Sequence, residues 1–226
     1  MFPFNANITL GSHGHVFVDH SPQALLQLQQ SGEKTIEVDY QTVLEKIWPL
    51  LTVERRQRIE AVVSQRCFNQ VVVLEDIYDR GNMSAVMRSA EAFGFARMHL
   101  IEKSEKFKES QRTTAGADKW IELKKWKSTG ECVKQLKAEG KQIVVTHLAP
   151  NSKPIGEIDF SKPTALVLGN EKNGVSAEMI EAADHTIVIP MQGFVQSFNI
   201  SVAGALCLYH IHLHLKNNPD VIGLKQ

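Results

Sequence analysis

Residues 71–102 read VVVLEDIYDRGNMSAVMRSAEAFGFARMHLIE and hold the clearest pattern in the chain. The apolar, β-branched run at 71–77 predicts a buried strand that ends in a polar turn. Residues 82–94 predict a helix with Asn82 as its N-cap and a glycine as its stop. A second apolar run at 97–102 predicts another strand. A strand, a helix and a strand within about 30 residues indicate a parallel βαβ unit.

The same alternation continues from this unit toward the C-terminal part of the chain. Helices are predicted at 52–68, 128–140 and 199–215, and strands at 142–148, 163–169 and 185–190. Short continuous apolar strands between helices favour an α/β fold with a mostly parallel sheet and helices on both faces. The helix at 199–215 is apolar nearly all round, which is typical of a helix that is buried or lies at a subunit interface.

The first part of the chain does not follow this alternation. Its opening, MFPFNANITLGSHGHVFVDHSPQ, is irregular and rich in Gly, Pro, His and Asn. We therefore divide the chain into an appendage of unknown role at 1–50 and a main domain at 51–226. The main domain begins with the arginine-rich helix TVERRQRIEAVVSQRCF (52–68), for which Thr52 is the predicted N-cap.

Composition and charge exclude several classes of protein. The chain has 226 residues, of which 43% are hydrophobic, enough for a substantial core. It carries 25 Lys and Arg against 25 Asp and Glu, so its formal net charge is zero. A protein that coats nucleic acid through bulk positive charge is therefore excluded, although a local basic patch is not.

Cysteine use and hydropathy indicate a cytoplasmic protein with no membrane partner. No stretch reaches the roughly 18 apolar residues of a membrane helix, and the first ten residues do not resemble a secretory signal. The three cysteines are far apart and form no CxxC motif, which favours neither a disulfide framework nor a zinc site. They are Cys67, Cys132 and Cys207.

Three polar loops follow predicted strands, at the edge where open α/β sheets bind their ligands. The first loop, at 79–82, leads into a helix that places Arg88 and Glu91 three residues apart on one face. One interpretation is a surface ion pair. The other is an arginine held by a carboxylate and ready to bind a phosphate.

The second loop, LGNEKNGVS (168–176), follows a buried strand and holds two glycines five positions apart. It is either a long polar turn or a functional loop that presents Glu171, and Ser176 is the predicted cap of the next helix. The loop lacks the Gly-Lys-Ser/Thr ending of a phosphate-binding Walker A motif. No G-x-G-x-x-G follows any predicted strand, so a classical dinucleotide-binding fold is disfavoured.

The third loop, IPMQGFVQSFN (189–199), leads from a strand into the apolar helix. Ser197 or Asn199 can cap that helix, and the exposed N–H groups of the loop can also bind the polar edge of a ligand. Within the helix, three histidines alternate at 210, 212 and 214, but only the first and third share a face. A three-ligand metal site therefore fails on geometry, and we predict no metal.

Together the three loops resemble, in order, the three motifs of the SpoU/TrmH branch of the SPOUT methyltransferases, which methylate RNA ribose 2′-oxygens. The motifs appear as NMSAVMRSAEAFG (82–94), LVLGNEKNGVS (166–176) and IPMQGFVQSFNISVA (189–203). The likeness covers about residues 52–215 and includes RTTAGADKW (112–120). Motif two departs from the family at Lys172, whose role stays unassigned.

The resemblance implies a fold that pattern reasoning alone would reject, because knots are almost absent from proteins. Members of the family thread the C-terminal segment into a deep trefoil knot, which forms the S-adenosylmethionine pocket, and they are homodimers with the site near the interface. Carried onto this chain, the pocket is lined by the backbone of Thr146, Leu168, Gly169, Ile189, Met191 and Phe198.

The activity implied is 2′-O-methylation of a ribose in tRNA, most simply the D-loop guanosine at position 18. The catalytic and site-ordering residues are expected to be Asn82, Arg88, Glu171, Ser197 and Asn199. The alternatives are methylation of ribosomal RNA and a non-catalytic RNA-binding protein, although a binding module does not need that set of five residues.

RNA capture is assigned to cations near the start of the main domain. The expected phosphate contacts are Arg55, Arg56, Arg58, Arg66 and Lys119, with Trp120 as a possible helper. The alternative interpretation of the arginine-rich helix is a solvated surface.

Overall fold

The computed structural model describes residues 7–10, 16–18, 35–37, 40–102 and 117–218. The chain divides into a smaller unit that ends at Ala61 and a larger unit that begins at Val62. The functional division after residue 50 stays a prediction, and most of the 1–50 segment and residues 112–116 of the RTTAGADKW motif lie outside the described residues.

The described part of the smaller unit contains a three-stranded antiparallel sheet, two α-helices and a 3-10 helix at Trp48–Leu50. The sheet has the order β2-β1-β3, and the elements are β1 (Asn7–Leu10), β2 (Val16–Val18), β3 (Thr35–Glu37), α1 (Tyr40–Ile47) and α2 (Val53–Ser64). The Thr52 hydroxyl accepts the N–H of Arg55 at 3.2 Å, which confirms the predicted start of α2. The helix buries none of its side chains and contains the unit boundary.

The larger unit is built on a seven-stranded sheet in which every pairing is parallel. Its order is β6-β5-β4-β9-β7-β10-β8. The strands are β4 (Cys67–Glu75), β5 (Phe95–Ile101), β6 (Glu122–Trp126), β7 (Gln142–Thr146), β8 (Lys153–Pro154), β9 (Thr164–Leu168) and β10 (His185–Val188). The helices are α3 (Arg80–Ala92), α4 (Thr129–Ala138), α5 (Ala177–Ala182) and α6 (Ile200–Lys216).

Side chains that alternate along the interior strand β4 form a core on each face of the sheet. Val72 and Leu74 pack in a cluster that includes residues of α3 and α6. Val71 and Val73 pack in a second cluster with residues of α4 and α5. All four are at most 1% exposed, and burying each contributes about 1.5–3 kcal/mol relative to exposure. The predicted parallel α/β sheet with helices on both faces is confirmed.

Several helix and strand bounds differ from the sequence-based prediction. The helix predicted at 52–68 ends at Ser64, and β4 already begins at Cys67, which is buried in the core. Helix α3 begins at Arg80, and its N-cap is Asp79, whose Oδ1 accepts the N–H of Gly81 at 2.6 Å. Asn82 is therefore the third residue of the helix and not its cap. Strand β6 was not predicted, because its alternating charged sequence ELKKW lies at the edge of the sheet, where lysines protect an unpaired strand.

Among the described residues, no helix has both the length and the apolar character that crossing a bilayer requires.

Candidate active site

The three polar loops predicted from the sequence meet in one hydrogen-bonded cluster. Asn82 Nδ2 donates to Glu171 Oε1 at 2.9 Å, and Asn199 Nδ2 donates to Asn82 Oδ1 at 3.2 Å. These residues come from the first, second and third loops, and they lie at or near the carboxyl ends of the strands. We call this group the Asn82–Glu171–Asn199 cluster.

Glu171 is the most heavily bonded member of the cluster. Its carboxylate also accepts the backbone N–H groups of Tyr78, at 3.2 Å, and Asp79, at 3.4 Å. Burial alone would raise the pKa of Glu171, but the bonds from the Asn82 amide and from these N–H groups hold the pKa below its usual value. The cluster therefore contains a carboxylate that is ionised at neutral pH.

The loop that presents Glu171 is closed at its base by backbone contacts. Asn170 and Gly174 exchange two backbone hydrogen bonds of 3.1 and 3.0 Å, and Asn170 Oδ1 accepts the N–H groups of Lys172 and Asn173. A Cβ at Gly169 would lie 2.2 Å from the backbone of Gly174. The sequence requires glycine here because only a bare backbone allows this approach, and the closed loop carries Glu171 at its tip.

The N-terminus of α3 explains why Asn82 is available to the site. Since the carboxylate of Asp79 caps the helix, the amide of Asn82 is left to contact Glu171 and Asn199. Arg88 lies six residues further along α3, about 9 Å along the axis. It is exposed, and within the part of the chain described its guanidinium forms no hydrogen bond or ion pair.

Arg88 and Glu91 do not pair, so neither the predicted surface ion pair nor the predicted arginine held by Glu91 is formed. Glu91 instead accepts from Arg66 Nη2 at 2.9 Å, while Arg66 Nη1 donates to the carbonyl oxygen of Phe95 at 3.0 Å. The guanidinium of Arg66 is thus used inside the larger unit, and the residue is only 6% exposed. Arg66 has a structural role in place of the expected RNA contact, and Arg88 is left facing solvent.

Asn199, at the end of the third loop, has two roles. Its Oδ1 accepts the N–H of Ser201 at 2.9 Å and so caps α6, while its Nδ2 reaches Asn82. The predicted cap of α6 is confirmed, and the same side chain belongs to the cluster. Ser197 is exposed, and its hydroxyl has no hydrogen-bond partner among the residues described.

The residues expected to bind the cofactor follow three neighbouring strands. Thr146 ends β7, Leu168 ends β9 and Ile189 follows β10, and these strands are adjacent in the sheet. Thr146 Oγ1 donates to the carbonyl oxygen of Val167 at 3.1 Å, which ties β7 to β9. Of the remaining three, Gly169 is buried, Met191 half-buried and Phe198 38% exposed. All six side chains are uncharged.

The expected RNA contacts other than Arg66 lie at the surface. Arg55 and Arg58 of α2 are exposed, Arg56 is half-buried, and Lys119 is exposed beside Trp120, which is 55% exposed.

The C-terminal histidines belong to a packed surface. His214 lies 3.7 Å from Asp159 Oδ1, and the rings of His210 and His214 contact Phe160. Among the residues that the structure describes, no group of three His, Cys, Asp or Glu side chains is placed to hold a metal ion.

One buried polar residue of this region escaped the sequence analysis. Glu75 ends the apolar strand β4 and binds Thr129 and Ser176. The available signal was an acidic residue within an apolar, β-branched run, because a buried carboxylate needs hydrogen-bond partners.

Comparison with known proteins adds to this geometry. Residues 69–209 match the SpoU rRNA Methylase family. The tRNA (guanosine(18)-2′-O)-methyltransferase of Escherichia coli K12 is 36% identical over 163 residues, which cover 72% of this chain and 71% of that protein.

Two solved structures are similar to the chain as well. The Aquifex aeolicus TrmH/SpoU tRNA modifying enzyme matches with a TM-score of 0.69 and 34% identity, covering 75% of this chain and 87% of the other. An AdoMet-bound rRNA methyltransferase from Sinorhizobium meliloti matches with a TM-score of 0.56 and 26% identity, covering 68% of this chain and 59% of the other.

Proposed function

Because the chain belongs to the SpoU rRNA methylase family, we propose that it transfers a methyl group from S-adenosylmethionine to the 2′-oxygen of a ribose in tRNA, at guanosine 18. The observation that carries the proposal is the Asn82–Glu171–Asn199 cluster, in which one residue from each family motif contacts the next. A protein that only binds RNA does not need a side-chain amide and an ionised carboxylate to join these three loops.

The strand ends fit an adenosine ligand. At the carboxyl ends of β7, β9 and β10, main-chain N–H and C=O groups are combined with uncharged side chains, which suits the neutral, hydrogen-bonding edge of adenine. Thr146, Leu168, Gly169, Ile189, Met191 and Phe198 are the residues that would hold it. When bound, S-adenosylmethionine supplies an electrophilic methyl group on a sulfonium, whose transfer leaves a neutral thioether.

The task of the protein is then to align the ribose and to favour loss of the 2′-hydroxyl proton. Arg88 does not serve as the base, because a guanidinium stays protonated in proteins. It binds the phosphate next to the target nucleotide and stabilises the negative charge that develops on the 2′-oxygen. That phosphate, or a water, accepts the proton.

The Asn82–Glu171–Asn199 cluster fixes the first turns of α3 and α6 against the loop that carries Glu171, and Arg88 follows further along α3. Glu171 is fixed by three hydrogen bonds, and Asn82 is fixed at both ends of its amide. Such constraint matters because displacement by about 1 Å can cost 100-fold in rate. Ser197, two residues before Asn199, faces solvent where the RNA would approach.

The C-terminal deep trefoil knot is part of the proposal. Its support is the strand order: β9 lies between β4 and β7, and β10 lies between β7 and β8. The last two strands are therefore both inserted between strands that precede them in the chain, and a knotted path needs insertions of this kind.

We also assign a homodimer, on the apolar surface of α6. Val202, Leu206, Tyr209 and Leu213 are 40–49% exposed and recur at the spacing of one helical face. An exposed apolar face of this extent is typical of a protein interface, and a two-fold pair would bury it against its own copy.

Two further assignments complete the proposal. The phosphates of the RNA are bound by Arg55, Arg56, Arg58 and Lys119, because these cations are at least partly exposed. The protein acts in the cytoplasm, where its buried thiols stay reduced. Burial raises the pKa values of Cys132 and Cys207 to about 12, so both are unreactive.

Methyl transfer from labelled S-adenosylmethionine to separated tRNA and rRNA transcripts tests the proposal. We expect label in tRNA at the ribose of guanosine 18, mapped by the resistance of that linkage to alkaline hydrolysis. Label in rRNA alone would support the alternative substrate, which the S. meliloti relative favours. Binding of the cofactor and RNA without any transfer would indicate a non-catalytic protein.

A further inference from the structure

Glu75 is a buried carboxylate that none of the steps above uses. It is the last residue of β4 and is 1% exposed. Thr129 Oγ1 donates to its Oε1 at 2.5 Å, Ser176 Oγ donates to the same oxygen at 2.6 Å, and the N–H of Ser176 donates to Oε2 at 2.8 Å. A carboxylate is an acceptor only, so all three donors match it.

These bonds reach the loop that carries Glu171. Ser176 ends the loop and also caps α5, since its Oγ accepts the N–H of Met179 at 3.3 Å. On the other side, Tyr78 and Asp79 follow Glu75 by three and four residues and donate their N–H groups to Glu171 itself. The end of β4 therefore holds both the base of the loop and the residue at its tip.

The bonds of Glu75 act beside the apolar packing of Val175, which lies in the second core cluster. A cavity of about 190 Å³ lies between the end of β4 and the loop, lined by polar residues that include Glu75, Tyr78, Asn170 and Ser176. On the side of this cavity, hydrogen bonds are the contacts that connect the loop to the end of β4.

We propose that Glu75 is a positioning residue for the methyl transfer: by binding Ser176 it sets the base of the loop at 169–176 and so the place of Glu171 against Asn82. The expected effect on kcat rests on the proposed function, whereas the expected effect on the position of Glu171 rests on the hydrogen bonds alone.

Glu75→Gln tests the inference with little change in volume. The amide puts an N–H group in place of one carboxylate oxygen. If that group faces the N–H of Ser176, this bond is lost; if it faces the hydroxyls, Ser176 Oγ must accept from it in place of donating, although this oxygen already accepts the N–H of Met179. Thr129→Val is the matched control, because it removes a hydrogen bond to the same carboxylate and leaves both Ser176 bonds in place.

Kinetics on a tRNA transcript should separate positioning from general destabilisation. We expect Glu75→Gln to lower kcat roughly 10- to 100-fold and to keep the KM for S-adenosylmethionine within about threefold of the parent. Thr129→Val should keep kcat and this KM within about twofold of the parent. In a Glu171→Gln background, Glu75→Gln should cost nothing more, because it acts through Glu171. The inference is wrong if the double variant loses kcat by the product of the two single effects, or if Glu75→Gln alone leaves kcat unchanged.

A second readout does not depend on turnover. The side-chain amide of Asn82, assigned in NMR spectra by its loss in Asn82→Asp, should shift in Glu75→Gln and stay in place in Thr129→Val. If the parent protein methylates no RNA, the proposed function fails while this shift still decides the role of Glu75. If Glu75→Gln does not fold, Ser176→Ala removes one of the same bonds and must give the same shift; an Asn82 resonance that does not move refutes the inference.

Discussion

The side-chain amide of Asn199 donates to Asn82 Oδ1 over 3.2 Å, although the two residues are 117 positions apart in the chain. The same Asn82 side chain donates from Nδ2 to Glu171. Both ends of its amide are thus used, which defines its orientation without ambiguity. The first turns of α3 and α6 are tied together at the point where the proposed reaction takes place.

Arg88→Ala should strongly lower turnover while leaving cofactor binding intact. Removing a cation that stabilises a developing oxyanion typically lowers kcat about 100- to 1,000-fold. The affinity for S-adenosylmethionine, measured by calorimetry, should stay within about twofold, because Arg88 is not among the strand-end residues. Lys134→Ala on α4, another exposed cation, is the control and should behave as the parent. Parallel loss of both properties in Arg88→Ala would contradict the assigned role.

Replacing Arg55, Arg56 and Arg58 together with alanine should weaken tRNA binding and make it less dependent on salt. Each phosphate contact contributes about one to the slope of log K against log salt, so the slope should fall by up to about three. Binding is measured by fluorescence anisotropy across a salt series. Lys134→Ala/Lys137→Ala should keep the parental slope, and a parental slope in the triple variant would show that α2 is a solvated surface.

Acidification should destabilise the protein through His99. Burial lowers the pKa of His99 from 6.5 to about 4, so the unfolded chain takes up the proton first. The contribution of neutral, buried His99 to the free energy of unfolding is therefore greatest above pH 6.5. The free energy of unfolding falls by about 3 kcal/mol as the pH drops to about 4, and below that pH it changes no further through this group. Urea titrations at several pH values check this. His99→Phe should show a shallower decline, and an identical decline would assign the acid sensitivity elsewhere.

Leu206→Asp should convert the proposed homodimer into a monomer. The substitution places a charge in the middle of the apolar face of α6, where a second copy would have to desolvate it. Light scattering during size-exclusion chromatography should report half the parental mass. A parental protein that is monomeric at every concentration would show that this face serves another purpose.

The parallel sheet and the convergence of the three polar loops could be predicted because both follow from local sequence patterns. The apolar run at 71–74 is buried on both faces of the sheet, and Ser176 caps the helix for which it was predicted. The polar loops converge since parallel strands all present their carboxyl ends at one edge.

The remaining details depend on partners far away in the chain. Asp79 and Asn82 are both good N-cap residues, and the choice follows from Glu171, which lies 89 positions beyond Asn82. Arg66 looked like a surface cation because its partners, Phe95 and Glu91, follow by 29 and 25 residues. No local pattern contains such contacts.

The most direct measurement uses a tRNA transcript in which guanosine 18 is replaced by 2′-deoxyguanosine. The base, its stacking and the neighbouring phosphates are kept, and only the proposed acceptor oxygen is removed. With labelled S-adenosylmethionine we predict incorporation into the unmodified transcript and none into the deoxy transcript, while both bind equally well. Equal incorporation into the two transcripts would mean that the methyl group goes to another atom. The roles assigned to Arg88 and to the Asn82–Glu171–Asn199 cluster in 2′-O-methylation would then be wrong.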